Sequence, residues 1–352
     1  MKSFFKVLVL NAVISGTAVC GYAQKGVQLV RNDAQRKVDV LFNGKLFTSY
    51  FYPVDVYKPV LYPIYTSGGT EITRGFPLNP RPFENPDHPH HIGSWLNFGD
   101  VNGLDFWNNT PSVPADKKKN FGTILHRSIV SMKNGSKQAV LKVTCDWVDH
   151  TGKVLLKEET TYIFGGKGDW RTIERITKLT AQQETVTFTD NKEGMIAIRM
   201  DRAFEEPTGR PANYLDAQGK LTKERTINDE GKNGHYRNSE GQEKESGVWG
   251  KPAKWVSLSA KKDAENITVA IIDHKKNWGH PAHSHARGYG LFSTNNMGNR
   301  SLAARGEEDK RPLFVEKLNP GQSTTMKHLI VIKTNGFATD AELNKMFADF
   351  NK

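Results

Sequence analysis

The chain has 352 residues, a formal net charge of +11 and a mean hydropathy of −0.58. Hydropathy this low excludes a protein with many membrane spans, because each transmembrane helix needs about 20 consecutive apolar residues. The positive charge suggests a nucleic-acid partner, but the lysines are scattered and form no basic stripe interleaved with aromatic residues. We therefore expect no nucleic-acid partner and interpret the charge as a solvated surface.

The first 23 residues predict a signal peptide. Lys2 and Lys6 precede an apolar run over 7–19 that is too short to span a bilayer, and small residues follow it. We expect cleavage near Ala23 and a periplasmic or secreted protein. Cys20 is lost with this segment, so the mature chain keeps only Cys145 and has no internal disulfide. About 330 residues remain, which is enough for a sizeable core without crosslinks.

The rest of the chain is dominated by strand patterns. Asn43-Gly44 separates two apolar runs in 39–52, which is the strongest short signal for a β-hairpin, and Thr151-Gly152 does the same in 139–164. Alternating segments predict further strands at 171–179, 185–188, 195–200, 267–273, 313–318 and 325–332. We therefore predict an all-β fold, a large antiparallel β-sandwich that forms one domain over residues 24–352.

Two segments depart from the strand pattern. Residues 205–247 form a long polar insertion, and a disordered loop and a lid over a site are both open alternatives for it. Near the C-terminus, Thr339 and Glu342 match a capping box. Four apolar side chains then share one helical face: Leu343, Met346, Phe347 and Phe350. The sequence predicts a short C-terminal helix that docks on the sandwich.

The stretch "DHPHHIGSWLNFGDVNGLDFW" (87–107) concentrates residues that can do chemistry. His88, His90 and His91 lie within four positions, and imidazoles titrate near neutrality, which suits proton transfer or metal binding. If the segment is extended, His88 and His90 share one face, and His91 and Trp95 share the other. A turn whose histidines bond only to backbone is the alternative.

The same stretch carries oxygen ligands and further aromatic residues. Asp100, Asn102 and Asp105 alternate as calcium ligands do, but they lack the closing glutamate of an EF-hand loop. A turn at Asn102, capped by the two acids, is the alternative that we favour. Trp95 and Trp107 either line a cleft or belong to the core.

A second concentration of histidines lies at 273–292, "DHKKNWGHPAHSHARGYGLF", and the two stretches together hold seven of the 11 histidines. Between them, Glu193 precedes a strand that contains Arg199, and their equal parity would place both side chains on one sheet face. If the fold joins these segments, their carboxylate, imidazoles, arginines and aromatic rings are typical of a sugar site. Rings pack on the apolar faces of sugars, and charged groups bind hydroxyls.

The stretches 87–107 and 273–292, with "DNKEGMIAIRM" (190–200) and "WGKPAKWVSL" (249–258), resemble the DUF6807 family of exported bacterial proteins. The resemblance runs from about Tyr50 to Ile332. The chain departs from the family pattern at Ile92, where that pattern has an arginine, and at Ser284, where it has a tryptophan.

The resemblance implies a supersandwich fold like that of galactose mutarotase-like proteins, whose sites act on sugars with histidines and a carboxylate. The family is also labelled methane oxygenase PmoA. The membrane subunits of a particulate methane oxygenase need several apolar spans, and this chain has none after its first residues.

From these observations we expect an exported carbohydrate-active protein, an enzyme with histidine–glutamate acid–base chemistry on a sugar or sugar derivative. Its reaction would be of the epimerase, lyase or hydrolase type. The expected catalytic residues are His90, His91, Glu193 and His285. The expected substrate-binding residues are His88, Trp95, Asn102, Asp105, Trp107, Arg199, His280 and Arg287.

Two alternatives stay open. A non-catalytic glycan-binding or cell-envelope domain would keep the aromatic residues without needing tuned histidines. A metalloprotein would use His88, His90, His91 or His285 as ligands, although we expect no cofactor. The two histidine-rich stretches and Glu193 should share one cleft in an enzyme and lie on different faces in a binding domain. The substrate, the reaction type and the oligomeric state do not follow from the sequence.

Overall fold

The computed structural model describes residues 25–352, so the predicted signal peptide lies outside the described residues and stays a prediction. The first part of the described chain contains nine strands: β1 (Val27–Asn32), β2 (Lys37–Phe42), β3 (Lys45–Phe51), β4 (Val60–Ile64), β5 (Ser94–Leu96), β6 (Thr123–Lys133), β7 (Gln138–Val148), β8 (Val154–Lys167) and β9 (Trp170–Ala181). The remaining part adds nine more: β10 (Val186–Thr189), β11 (Ile196–Arg199), β12 (His235–Asn238), β13 (Trp255–Lys262), β14 (Glu265–Asp273), β15 (His283–Arg287), β16 (Leu291–Asn295), β17 (Val315–Leu318) and β18 (Ser323–Lys333). The helices are α1 (Lys244–Val248), α2 (Asp340–Phe350) and three 3₁₀ segments, Ala115–Asn120, Arg202–Phe204 and Glu308–Lys310.

Within the described residues, the strands form two eight-stranded antiparallel sheets and a separate pair of strands, β10 and β17. Sheet A has the spatial order β1-β2-β3-β4-β5-β11-β16-β15, and sheet B has the order β12-β13-β14-β18-β9-β8-β7-β6. The largest hydrophobic cluster contains Val38 and Tyr50 from sheet A and Leu141 and Phe164 from sheet B. The two sheets therefore pack face to face, and the predicted antiparallel β-sandwich is confirmed.

Both predicted hairpins are present, and each has the turn that its sequence predicted. Asn43 and Gly44 have φ angles of 48° and 80°, the positive values that a two-residue hairpin turn requires, and they join β2 to β3. The second hairpin joins β7 to β8 around Thr151 and Gly152, where Asp149 accepts a backbone hydrogen bond from Thr151 at 2.8 Å. The other predicted strands correspond to β9, β10, β11, β14, β17 and β18.

Helix α2 covers the outer face of sheet B. Thr339 Oγ1 accepts the backbone N–H of Glu342, whose side chain accepts the backbone N–H of Thr339, so the predicted capping box is confirmed. Leu343 and the other apolar side chains of α2 pack with Trp255 and Val331 of sheet B. Among the described residues, no helix has the length and apolar composition needed to cross a bilayer.

A small apolar cluster lies on the outer face of sheet A, and polar side chains lie above this cluster. Along β11, Ile196 and Ile198 belong to the core between the sheets, whereas Ala197 belongs to a second cluster that also contains Trp95 and Trp107. Alternation along a strand assigns these two clusters to opposite faces of sheet A. The outer face of sheet A is therefore partly covered by other segments of the chain. These segments and the face beneath them form the candidate site described below.

The polar segment 205–247 lies against this part of the molecule. Leu215 accepts a backbone hydrogen bond from Phe83 at 2.8 Å and donates one to Glu84 at 2.9 Å. The segment contains two isolated bridges, Ala212–Thr226 and Leu215–Leu221, and its end forms β12 and α1. Its backbone is thus paired with neighbouring elements along much of its length.

Candidate functional site

The register of sheet A brings the two histidine-rich stretches together. Trp95 of β5 pairs with Ala197 of β11, Ala197 pairs with Ser293 of β16, and Ser293 pairs with His285 of β15. Directly paired residues point to the same face, so these four side chains form a row across the outer face. Arg287, two residues beyond His285 on β15, shares this face. Segments distant in the sequence therefore meet above β5, β11, β16 and β15.

A cleft of about 490 Å³ lies over this row, within the range of small-molecule sites. The predicted residues that line it are His88, His90, His91, Trp107, Glu193, His285 and Arg287. The polar segment supplies further lining residues, namely Glu205, Thr208, Arg210, Pro211, Ala212, Tyr214, Arg225, Lys232 and Glu245. Both histidine-rich stretches and Glu193 therefore share one cleft, and segment 205–247 forms part of its wall.

Two buried arginines hold the histidine loop. Arg74 donates to four backbone carbonyls within 85–91, at 2.8 to 3.2 Å. Arg74 and Arg199, with 2% and 0% of their surface exposed, each donate to Asp87 Oδ1 at 2.7 Å. Burial alone would raise the pKa of Asp87, but the charges of Arg199 and Arg74 and a hydrogen bond from His88 hold it well below its usual range. Asp87 is thus a permanent anion that anchors the loop.

The histidine loop is a turn in which three imidazoles contact one another. The ring of His88 stacks on His91, with centroids 4.8 Å apart, and on Tyr289 at 5.1 Å. His90 meets His91 edge-on at 4.3 Å, and His91 stacks on Trp95 at 5.3 Å. The alternation expected of an extended segment does not hold, because β5 begins only after the loop.

Burial keeps the imidazoles of His91 and His285 neutral. It lowers the pKa of His91 well below its usual value and lowers the pKa of His285 to about 3. Arg199 donates to Nδ1 of His91 at 3.2 Å, so the hydrogen of this neutral ring is on Nε2. Nε2 of His91 has no hydrogen-bond partner among the described residues. The ring therefore holds an unpaired N–H donor that is buried beneath the surface of the cleft.

Glu193 and His285 face each other in the cleft. Oε2 of Glu193 lies 3.7 Å from Nδ1 of His285, which is too far for a direct hydrogen bond. Burial raises the pKa of Glu193 while it lowers that of His285. Gly99 lies directly against Glu193, and its N–H donates to the backbone carbonyl of Glu193 at 2.8 Å. A side chain at position 99 would clash, because its Cβ would lie 2.8 Å from Cβ of Glu193, so glycine is needed for Glu193 to take this position.

Two predicted binding residues lie beneath the cleft and do not line it. Trp95 and Arg199 are both 0% exposed, so they support the histidine loop from below. Arg199 is not the partner of Glu193 that strand parity suggested: its ion pair is with Asp87. The parity argument failed because β11 begins at 196, and Glu193 precedes it in a turn.

Asn102 and His280 lie away from the cleft, which corrects their prediction as binding residues. Asn102 is exposed, and its side chain accepts the backbone N–H of Thr187 at 2.7 Å, tying its turn to β10. Nδ1 of His280 lies 2.6 Å from Asp273 Oδ2, and the ring stacks on Phe347 of α2. Both side chains serve the packing of other elements.

Asp105 and Lys58 support the cleft from behind. The carboxylate of Asp105 accepts the backbone N–H groups of Trp107 and Asn108 at 2.8 and 2.9 Å, which orients the segment that lines the cleft. Lys58 donates to the carbonyl of His90 at 2.8 Å. Burial lowers the pKa of Lys58 to about 7. Asp105 therefore positions a segment that lines the cleft but does not line the cleft itself.

Several residues of the site carry no signal in the sequence. Arg74 and Lys58 act through contacts with segments that are distant along the chain. Lys232 binds Glu205 at 3.1 Å in the wall, and only the polarity of 205–247 pointed to that region. Within residues 25–352, no group of three or more His, Cys, Asp or Glu side chains is arranged to hold a metal ion.

A family model described as "Family of unknown function (DUF6807)" matches residues 37–348 of the chain. The predicted resemblance to this family is confirmed, whereas the methane oxygenase PmoA label is not supported. No curated protein matches the chain.

Solved structures similar to the chain include two α-galactosidases and an epimerase relative. The GH36 α-galactosidase AgaB from Geobacillus stearothermophilus is 10% identical, with a TM-score of 0.39 over 87% of this chain and 41% of that one. The α-galactosidase from Lactobacillus brevis is 11% identical, with a TM-score of 0.38 over 86% and 40%. The galactose mutarotase related enzyme from Lactobacillus acidophilus is 9% identical, with a TM-score of 0.30 over 88% and 97%. The chain spans about two fifths of the length of the α-galactosidases that it matches.

Replacing Asp87 with asparagine removes the carboxylate that Arg74 and Arg199 share and leaves two buried guanidinium groups without their counter-charge. We expect Asp87→Asn to lower the free energy of unfolding by about 3 kcal/mol. Asp146→Asn is the matched control, because Asp146 pairs with the exposed Arg127 and should change stability by less than about 1 kcal/mol. Urea unfolding measures both, and equal midpoints for the two variants would contradict the anchoring role of Asp87.

The buried neutral histidines predict acid sensitivity. A histidine in the unfolded chain has a pKa of about 6.5. When the pH falls below that value, His91 and His285 bind protons in the unfolded chain but stay neutral in the folded protein, so acid favours unfolding. Each such histidine should lower the free energy of unfolding by up to about 1.4 kcal/mol per pH unit. The raised pKa of Glu193 acts in the opposite sense, so the difference between parent and His285→Gln isolates the effect. Urea unfolding at about pH 7.5 and pH 5 should show a smaller acid loss in His285→Gln; identical losses would refute the neutral, buried state of this ring.

Proposed function

Because the chain belongs to the DUF6807 family, whose function is unknown, we propose a function from the cleft itself. We propose that the protein is a carbohydrate-active enzyme that uses acid–base chemistry on a sugar or sugar derivative. The observation that carries this proposal is the facing pair of Glu193 and His285, whose pKa values burial shifts in opposite directions. Titratable groups whose environments perturb them in this way are the ones that divide acid and base roles in enzymes.

In the proposed complex, a sugar lies against Glu193 and His285. The 3.7 Å separation leaves Glu193 Oε2 and His285 Nδ1 without a bond to each other, so neither group is committed to the other. During reaction, the neutral imidazole of His285 takes a proton from the substrate, and Glu193, in the protonated form that burial favours, gives a proton to a second substrate atom. The exchange leaves the protein's net proton count unchanged.

The remaining lining groups would hold the sugar. Arg287 lines the same face of the cleft and is partly exposed, so its guanidinium can donate to a sugar hydroxyl. The rings of His88 and Tyr289 line the cleft and are at least partly exposed, so they offer apolar surface of the kind that packs on sugar rings, whereas Trp107 is fully buried beneath them. Donors, an acceptor and ring faces are therefore all within one cleft.

The shared cleft favours an enzyme over a non-catalytic glycan-binding domain. A binding domain needs the aromatic faces but has no use for a carboxylate and imidazoles perturbed by burial beside them. Whether the reaction is an epimerisation, an elimination or a hydrolysis depends on which substrate atom faces the pair. Export of the protein stays our prediction from residues 1–23.

Glu193→Gln keeps the shape of the side chain and removes its titratable proton. We expect this variant to lose about 10²- to 10⁴-fold in turnover, the usual contribution of one general acid or base, while its fold and its affinity for substrate change little. Incubation of the purified protein with sugars, uronates and oxidised glycosides, followed by NMR, would identify the epimerised, unsaturated or hydrolysed product. Glu184→Gln, at an exposed carboxylate paired with Lys153, is the control and should keep full activity. A Glu193→Gln variant with parental turnover would overturn the proposed mechanism.

A further inference from the structure

The charges of the cleft carry information about the substrate that the acid–base pair does not. The cations that line it are Lys192, Arg210, Arg225, Lys232 and Arg287, and Arg74 and Arg199 lie directly behind them. The carboxylates that line it are Asp87, Glu193, Glu205 and Glu245. Five cations therefore line the cleft beside four carboxylates, and the pairing of these groups decides which charges are left over.

Each lining carboxylate already has a cationic neighbour within the protein. Asp87 binds the two buried arginines, and Lys232 engages Glu205 at 3.1 Å. Glu245 lies 3.5 Å from Arg287, and Lys192 lies 3.7 Å from Glu193. The acids of the cleft are thus compensated, and the excess charge remains on the other cations.

Two arginines of the polar segment carry that excess. Arg210 is exposed, lines the cleft, and makes no side-chain hydrogen bond or ion pair with the described residues. Arg225 donates to the carbonyl of Pro211 at 2.7 Å, which fixes its position without neutralising its charge. A guanidinium is a planar donor that matches the two oxygens of a carboxylate or a sulfate.

We infer that the saccharide bound in this cleft carries an anionic group, a carboxylate or a sulfate ester, that Arg210 and Arg225 recognise. This inference rests on the proposed function, since it names the class of sugar that the same site accepts. Two arginines without a counter-ion in a concave site attract an anionic group more strongly than scattered surface lysines do. The long polar segment thereby acquires a role in selecting the substrate.

The test compares saccharides that share a backbone and differ in charge. Isothermal titration calorimetry would be run with the purified protein and three sets of oligosaccharides: neutral, uronate-bearing and sulfate-bearing. We expect one acidic set to bind at least about 10-fold more tightly than its neutral counterpart, with an affinity that falls as NaCl is added. Binding by the uronates alone or by the sulfates alone identifies which anion is recognised, and either result supports the inference.

Arginine variants assign the effect to the polar segment. Arg210→Gln and Arg225→Gln should each weaken binding of the acidic set by about 5- to 10-fold and leave neutral sugars unaffected, because only the charged contact is lost. Arg127→Gln, an exposed arginine on β6 outside the cleft lining, is the matched control and should bind as the parent does.

The outcomes separate this inference from the function on which it rests. Equal binding of neutral and acidic sugars, together with turnover that still requires Glu193, would overturn the anion inference and leave the proposed function standing. Failure of every saccharide to bind would overturn both.

Discussion

The carboxylate of Asp87 accepts hydrogen bonds from Arg74 and Arg199, and the arrangement of the cleft depends on this shared contact. Arg74 wraps the loop 85–91 around itself through four backbone carbonyls, while Arg199 reaches up from β11 and also donates to Nδ1 of His91. Buried guanidinium groups are stable only where their charge and donors are satisfied, so the loop has little freedom to move away. The positions of the imidazoles, and the hydrogen on Nε2 of His91, follow from that anchor.

Desolvation then gives the cleft its chemistry. The row Trp95–Ala197–Ser293–His285 across sheet A places His285 over an apolar cluster, and Glu193 approaches it from the turn before β11. Burial disfavours the charged form of either group, so it moves their pKa values in opposite directions. One physical cause thus produces a perturbed carboxylate and a neutral imidazole side by side. The polar segment 205–247 adds the positive wall that completes the site.

Much of the fold follows from short-range patterns in the sequence. Asn43-Gly44 requires a hairpin turn, alternation of apolar residues marks the long strands, and the Thr339–Glu342 box begins α2, because each of these depends on neighbours within a few residues. The histidine-rich stretches likewise indicated a site from composition alone. The sequence could not show which side chains face the cleft. Arg199 pairs with Asp87, which lies in a segment far away along the chain, and His280 pairs with Asp273 instead of lining the cleft. Arg74 was missed for the same reason, since its partners are backbone carbonyls that carry no residue signal.

We propose that a sugar binds in the cleft between the histidine loop and the Glu193–His285 pair. A crystal structure of the protein with a bound saccharide would show where the sugar lies. We expect a sugar ring in contact with Glu193, His285 and Arg287, packed against the rings of His88 and Tyr289. A saccharide bound on another face of the protein, with the cleft holding only water, would contradict it.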